Sequence, residues 1–285
     1  MSVFKVSSLN LRLLVVVLMA TVVASANSAG PSLLDTGYDQ MYNLDFTEAH
    51  RTFQTWEKLH PEDPLGPASD AAAYLFSEFD RLHVLQLQLF ADDQKFGQRD
   101  KRVPDASVKL AFDRTLTESD ALAATALAKN PDDANALFAE ALANGLRSDY
   151  AAMIEKRNLS ALSYVKKSRT TAEKLLAKYP SYYDAYLAIG VENYLLGLNS
   201  APLRWLLHIG GAQTNKEEGL AKLRLTAEHG HYLAPYARLL LAVAAVRDKD
   251  SRQAKVLLQG LAQEFPRNPL YGRELARLQE QPSTR

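Results

Sequence analysis

Four short segments share one pattern, and that pattern restricts the chain to helices: Leu59-His60-Pro61-Glu62-Asp63, Lys129-Asn130-Pro131-Asp132-Asp133, Lys178-Tyr179-Pro180-Ser181 and Glu264-Phe265-Pro266-Arg267-Asn268. Each follows one amphipathic stretch and precedes another. Proline has no amide hydrogen and its ring clashes with the turn before it, so it ends a helix, while its fixed φ suits the start of the next. The acidic or Asn side chains beyond it can accept from the free amides of that next helix. Upstream of three of the prolines the apolar residues keep helical spacing, mostly steps of three, four or seven. Phe46, Ala49, Phe53 and Trp56 do so before Pro61, Val165, Ala172, Leu175 and Tyr179 before Pro180, and Ala254, Leu257, Leu258, Leu261 and Phe265 before Pro266. Such steps give each helix one buried face. No window alternates at period two, so no sheet is predicted.

The prolines stand 70, 49 and 86 residues apart. Measured against a helix-pair period of about 34 residues, these are two periods, one period plus about 15, and two periods plus about 18. Within this frame Tyr186-x-x-Ile189-Gly190 resembles the first helix of a tetratricopeptide repeat, with Gly190 where two helices approach closely. Asp45-Phe46-x-x-Ala49-x-x-x-Phe53 up to Pro61, and Ala254-x-x-x-Leu258 up to Pro266, resemble the second helix. Trp56 and Leu175 depart from the pattern, standing where a small residue is usual. The resemblance covers roughly residues 32–280. It implies an all-α chain of tetratricopeptide-like antiparallel helix pairs in a right-handed superhelix, about ten helices plus a closing one.

The expected pairs are 32–43 with 46–59, 67–91 with 106–129, 133–146 with 158–178, 182–197 with 215–229 and 233–247 with 250–264. Residues 269–280 form a polar closing helix, as an open-ended array requires. Residues 147–157 and 198–214 read as insertions, and Gly97 to Pro104 as a solvated loop. Residues 27–285 thus form a single, irregular repeat domain.

Residues 1–26 read as a signal peptide. Lys5 and Arg12 supply the positive start, Leu13 to Ala24 is apolar apart from Thr21, and Ala24-Ser25-Ala26 offers small residues for cleavage after Ala26. The expected location is periplasmic or secreted, with no membrane insertion of the mature chain. An uncleaved N-terminal anchor is the alternative.

Composition removes several function classes. The chain has 33 basic and 33 acidic residues, which gives no concentrated basic surface for nucleic acid. It has no cysteine, which excludes disulfides, thiol catalysis and thiolate metal sites. His229-x-His231 straddles Gly230, a helix-stop residue, so the two rings do not share a helix face as metal ligands would. His229 is better placed to face the last carbonyls of its helix. Lys216 after Gly210-Gly211 lacks the Ser or Thr that a phosphate loop needs, and no strand precedes it. No catalytic motif, metal or cofactor is expected, and the chain reads as a non-enzymatic binding protein.

Its expected partner is a protein or peptide, and its own state is monomeric or weakly dimeric. In the tetratricopeptide family the first helix of each pair lines the inner groove, and many peptide-binding members clamp a carboxylate there with Lys and Asn. Alignment by the prolines puts Phe138 and Leu142, Leu187 and Val191, and Leu239 and Val243 at those places, which implies an apolar groove. The tyrosine cluster 179–194 adds Tyr183 and Tyr194, because tyrosine offers a rigid face with a polar end. Two alternatives stand beside this reading. One is a structural or assembly subunit whose groove is self-filled, its apolar positions forming core beneath the two insertions. The other is a helical hydrolase whose carboxylates carry no recognisable pattern.

Overall fold

Each of the four proline turns ends its helix in the same way. The residue before proline, His60, Asn130, Tyr179 or Phe265, is the C-cap, with φ of −132°, −140°, −127° and −121°. Proline's ring drives its predecessor out of the helical region, and the helix stops there. Two residues beyond proline a short polar side chain restarts the chain. Asp63 Oδ1 accepts from Leu65 N at 3.0 Å, Asp133 Oδ1 from Ala136 N at 2.9 Å and Asn268 Oδ1 from Leu270 N at 3.0 Å. After Pro180 that place belongs to Tyr182, whose ring packs 4.9 Å from Phe138.

These turns belong to a computed structural model that describes residues 31–85, 87, 103–197 and 216–280. Among the described residues there are eleven α-helices and no strand. They are α1 (Leu33–Tyr42), α2 (Phe46–Leu59), α3 (Leu65–Arg81), α4 (Ala106–Lys129), α5 (Ala134–Met153) and α6 (Asn158–Lys178). A 3-10 turn, Tyr183–Ala185, leads into α7 (Tyr186–Gly197), which is followed by α8 (Lys216–His229), α9 (Ala234–Arg247), α10 (Ser251–Glu264) and α11 (Pro269–Glu280). The expected signal peptide, the loop at 97–104 (as far as residue 102) and the insertion at 198–214 lie outside the described residues.

Consecutive helices pack as pairs, and the odd-numbered ones form an inner row in which α1 touches α3, α3 touches α5 and α5 touches α7. Gly190 and Gly219 mark the crossing of α7 and α8. A Cβ on Gly190 would lie 2.9 Å from the Leu223 side chain, and one on Gly219 would lie 2.5 Å from the backbone nitrogen of Tyr194. Only glycine permits that approach.

Three expectations about element ends need correction. The helix predicted over 67–91 stops at Arg81, where Leu82 caps it and His83 takes a left-handed φ of 53°. The stretch 147–157 is mostly not an insertion. Helix α5 runs on to Met153, because Leu146, Tyr150 and Ile154 continue its apolar face in steps of four and are all buried. The array is also not open-ended. Helix α11 buries Leu270, Tyr271 and Leu278, and the turn before it returns to the end of α1. Asn268 Nδ2 donates to the Tyr42 carbonyl at 2.9 Å, Arg267 N to Asn43 Oδ1 at 3.2 Å, and the Arg267 guanidinium sits 3.1 Å from Asp45.

The start of α9 completes the closure. Tyr232 stacks on Tyr38 of α1 at 4.9 Å, its carbonyl accepts from the Tyr42 hydroxyl at 3.0 Å, and Tyr236 meets Phe76 of α3 edge-on at 5.3 Å. Aromatic rings with apolar bodies and polar tips suit such a junction, because the ring is buried while the hydroxyl keeps a partner.

Candidate functional site

The inner row does not close completely. It surrounds a partly open cavity of about 60 Å³ whose wall is mostly apolar. Helix α1 contributes Tyr38, Met41 and Tyr42, α3 Ala72 and Phe76, and α7 Leu187, Ala188 and Val191. Helix α5 contributes the most, with Phe138, Ala141, Leu142, Gly145, Leu146 and Asp149, while Val165 and Ser168 come from α6, and Leu233 and Tyr236 from the start of α9.

The structure brings four of the eight expected groove residues together here. Phe138 and Leu142 are buried in the wall, at 1% and 7% exposure, while Leu187 and Val191 are half-buried. The other four lie elsewhere. Tyr183 is half-buried with its ring 4.9 Å from His229. Tyr194 is buried with Leu220, Leu223, Leu241 and Ala244 between α7, α8 and α9. Leu239 is buried at a smaller space beside Met41, Phe79 and Tyr271. Val243 is buried in the main core. The residues read as a continuous groove therefore divide between one cavity and the packed interior, because α9 turns back toward α1. The two histidines flanking Gly230 also part company, with His231 Nε2 standing 2.5 Å from Asp35 Oδ1.

Most polar groups of the cavity wall are spent inside the protein. Ser168 donates to the Ala141 carbonyl at 2.7 Å. Tyr38 accepts from Ser69 at 3.2 Å. Asp184, 3% exposed, uses both oxygens on backbone amides, accepting from His231 N at 3.0 Å, Tyr232 N at 3.2 Å and Leu233 N at 2.9 Å. Burial raises its pKa, and these amide bonds and the nearby His231 oppose the rise. The carboxylate thus holds the turn just ahead of α9, where helix amides favour an anion.

Asp149 is different. The Tyr236 hydroxyl donates to its Oδ2 at 2.9 Å, and among the described residues Oδ1 accepts nothing. Asp149 is half-buried by surface exposure, yet the apolar side chains packed around it desolvate the carboxylate and push its pKa up to about 6, although the Tyr236 hydrogen bond pulls the other way. The sequence carried a signal for it. Phe138, Leu142, Gly145 and Asp149 step by four, three and four, so the acid continues the apolar face of α5.

The sign of its pH effect follows. The folded pKa lies above the ordinary value of 3.8, so the folded state holds this proton more tightly than the unfolded chain. The penalty for ionising Asp149 is absent below about pH 4, grows through about pH 6 and is complete above it. Asp149→Asn keeps an acceptor for Tyr236 and removes the charge. We expect it to be more stable than the parent by about 1–3 kcal/mol at pH 7.5, the gain vanishing at pH 4, in urea titrations at both values. A gain equal at the two pH values would show that the carboxylate is not strained by burial.

A second polar cluster lies between α2, α3 and α4. His50 Nδ1 is 2.5 Å from Oδ1 of the buried Asp70, and its ring lies 4.0 Å from that of Tyr74. Glu57 is pushed up to about 7 by burial, then by Asp70 and Glu118, and its Oε1 is buried with no hydrogen-bond partner. His50, Asp70 and Glu57 line neither of the two spaces described.

Comparison of the chain with family models, with curated proteins and with solved structures gives no match in any of the three. No helix among the described residues is long and apolar enough to cross a membrane.

Proposed function

We propose that this chain is a non-enzymatic binding protein of the periplasm or the secreted fraction, a tetratricopeptide-like right-handed superhelix drawn closed, whose inner cavity takes an apolar segment of a peptide or protein. The observation that carries this reading is the cavity itself. Its volume is small, about 60 Å³, but its wall is mostly apolar and drawn from six helices, and ligand sites form between helices in this way. Volume also limits the occupant. A helix about 11 Å wide fills roughly 500 Å³ per 5.4 Å turn, so the cavity takes one or two side chains of a docked segment rather than a helix. The leader-like features of residues 1–26 support the location.

The second reading, an assembly subunit with a self-filled groove, draws on Phe138, Tyr194, Leu239 and Val243, which are buried in the chain's own interior.

The half-buried Leu187 separates the two. In fluorescence polarisation with labelled apolar pentapeptides, Leu187→Asp should weaken binding at least about tenfold, since it sets an unpaired charge in an apolar wall. Peptides that bind the parent and the variant equally well would sink the docking reading.

A further inference from the structure

We propose that the cavity selects an apolar peptide segment bearing a basic side chain, Lys or Arg, whose cation pairs with Asp149. The proposal rests on the reading of the cavity as a docking site and adds the chemistry of its occupant.

Three observations meet at this carboxylate. It stands on the cavity-lining face of α5, in line with Phe138 and Leu142. Of the two acids in the wall, it alone has an oxygen to spare, because Asp184 spends both on the amides of 231–233. Among the described residues no Lys, Arg or His lines the cavity, so the chain offers Asp149 no counter-ion there. Asp149 is half-buried, so its free oxygen meets water while the cavity is open; a ligand that covers it removes that water, and a cation brought by the ligand offsets the cost. The neighbouring rings strengthen the match. Tyr42, Phe76 and Tyr236 line the same space, and aromatic faces attract cations that have left water. A guanidinium can donate to a carboxylate while its plane lies on a ring, and an ammonium reaches the same oxygen as a point charge. A fatty acid or a peptide's terminal carboxylate would meet repulsion instead, the reverse of the carboxylate clamp that Lys and Asn would form.

The test uses four labelled pentapeptides, acetylated and amidated, with two Leu on each side of a central Lys, Arg, norleucine or Glu. They are titrated at pH 7.5 against the full chain and against Asp149→Asn. The Lys and Arg peptides should bind the parent at least about tenfold more tightly than the norleucine peptide, and the Glu peptide least. In Asp149→Asn that preference should vanish while norleucine binding holds or improves. Urea titration of the variant, run beside the binding assay, separates this loss from misfolding. Equal binding of the Lys and norleucine peptides to the parent would overturn the proposal and leave the apolar site standing. Binding of none of the four would overturn both. A photocrosslinker at Leu187 that reacts with residues 198–214 of the same chain would assign the cavity to the chain's own segment and overturn the proposal as well.

Discussion

Replacing Asp184 with Ala should lower the unfolding free energy by about 2–4 kcal/mol, visible as a drop of roughly 5–15 °C in melting temperature. The carboxylate accepts three backbone amides within one turn, and Leu233, whose amide is bonded at 2.9 Å, is itself buried. Alanine orphans these donors, and a buried donor left unpaired costs about 1–3 kcal/mol. The exposed His231 regains water, which keeps the total below three full penalties. Relief of the buried charge offsets part of the loss, since burial already raises this acid's pKa. The turn matters beyond its own bonds, because it carries Tyr232 onto Tyr38 and so holds the start of α9 against α1. Asp184→Asn retains a carbonyl acceptor and should cost less than Ala. A change under about 0.5 kcal/mol for Ala, in urea titration at pH 7, would mean that the turn ahead of α9 is held by packing alone.

This carboxylate shows where the sequence stops being informative. The local signals worked well: the helices expected over 46–59, 106–129 and 158–178 are Phe46–Leu59, Ala106–Lys129 and Asn158–Lys178. Proline chemistry and a three-to-four step act within a few residues, so they can be read in order along the chain. Asp184 acts 47 to 49 residues away, and the Arg267 and Asn268 contacts to the end of α1 and the turn after it span 222 to 226. No periodicity encodes such a return, so an open row of apolar positions was the natural reading. Asp149 falls between these cases. Its register with Phe138 and Leu142 was present, but Arg147-Ser148-Asp149 looks like a solvated run unless α5 is carried past residue 146. Its partner Tyr236 stands 87 residues on.

Phe138→Ala should cost about 3–5 kcal/mol, the largest single loss expected in the inner row. The ring is 1% exposed and packs 4.9 Å from Tyr182, with Tyr232 stacked further off at 6.5 Å. Truncation removes the apolar contacts that hold these rings in place. It also enlarges a space that already exists, because Phe138 lines the cavity. A pre-formed space limits collapse, since α5 is pinned by α3 and α6 on either side, so the cost should sit in the upper part of the usual range rather than relax away. Leu187→Ala, on the facing wall, provides the contrast. Leu187 is half-buried, so less surface returns to water, and about 1–2 kcal/mol is expected. The two variants therefore separate wall from lining. Phe138 belongs to the fixed aromatic junction that shapes the cavity, and Leu187 to the side a ligand would touch. Urea titrations showing Phe138→Ala no more costly than Leu187→Ala would mean that both residues line an open surface and that the cavity has no packed wall.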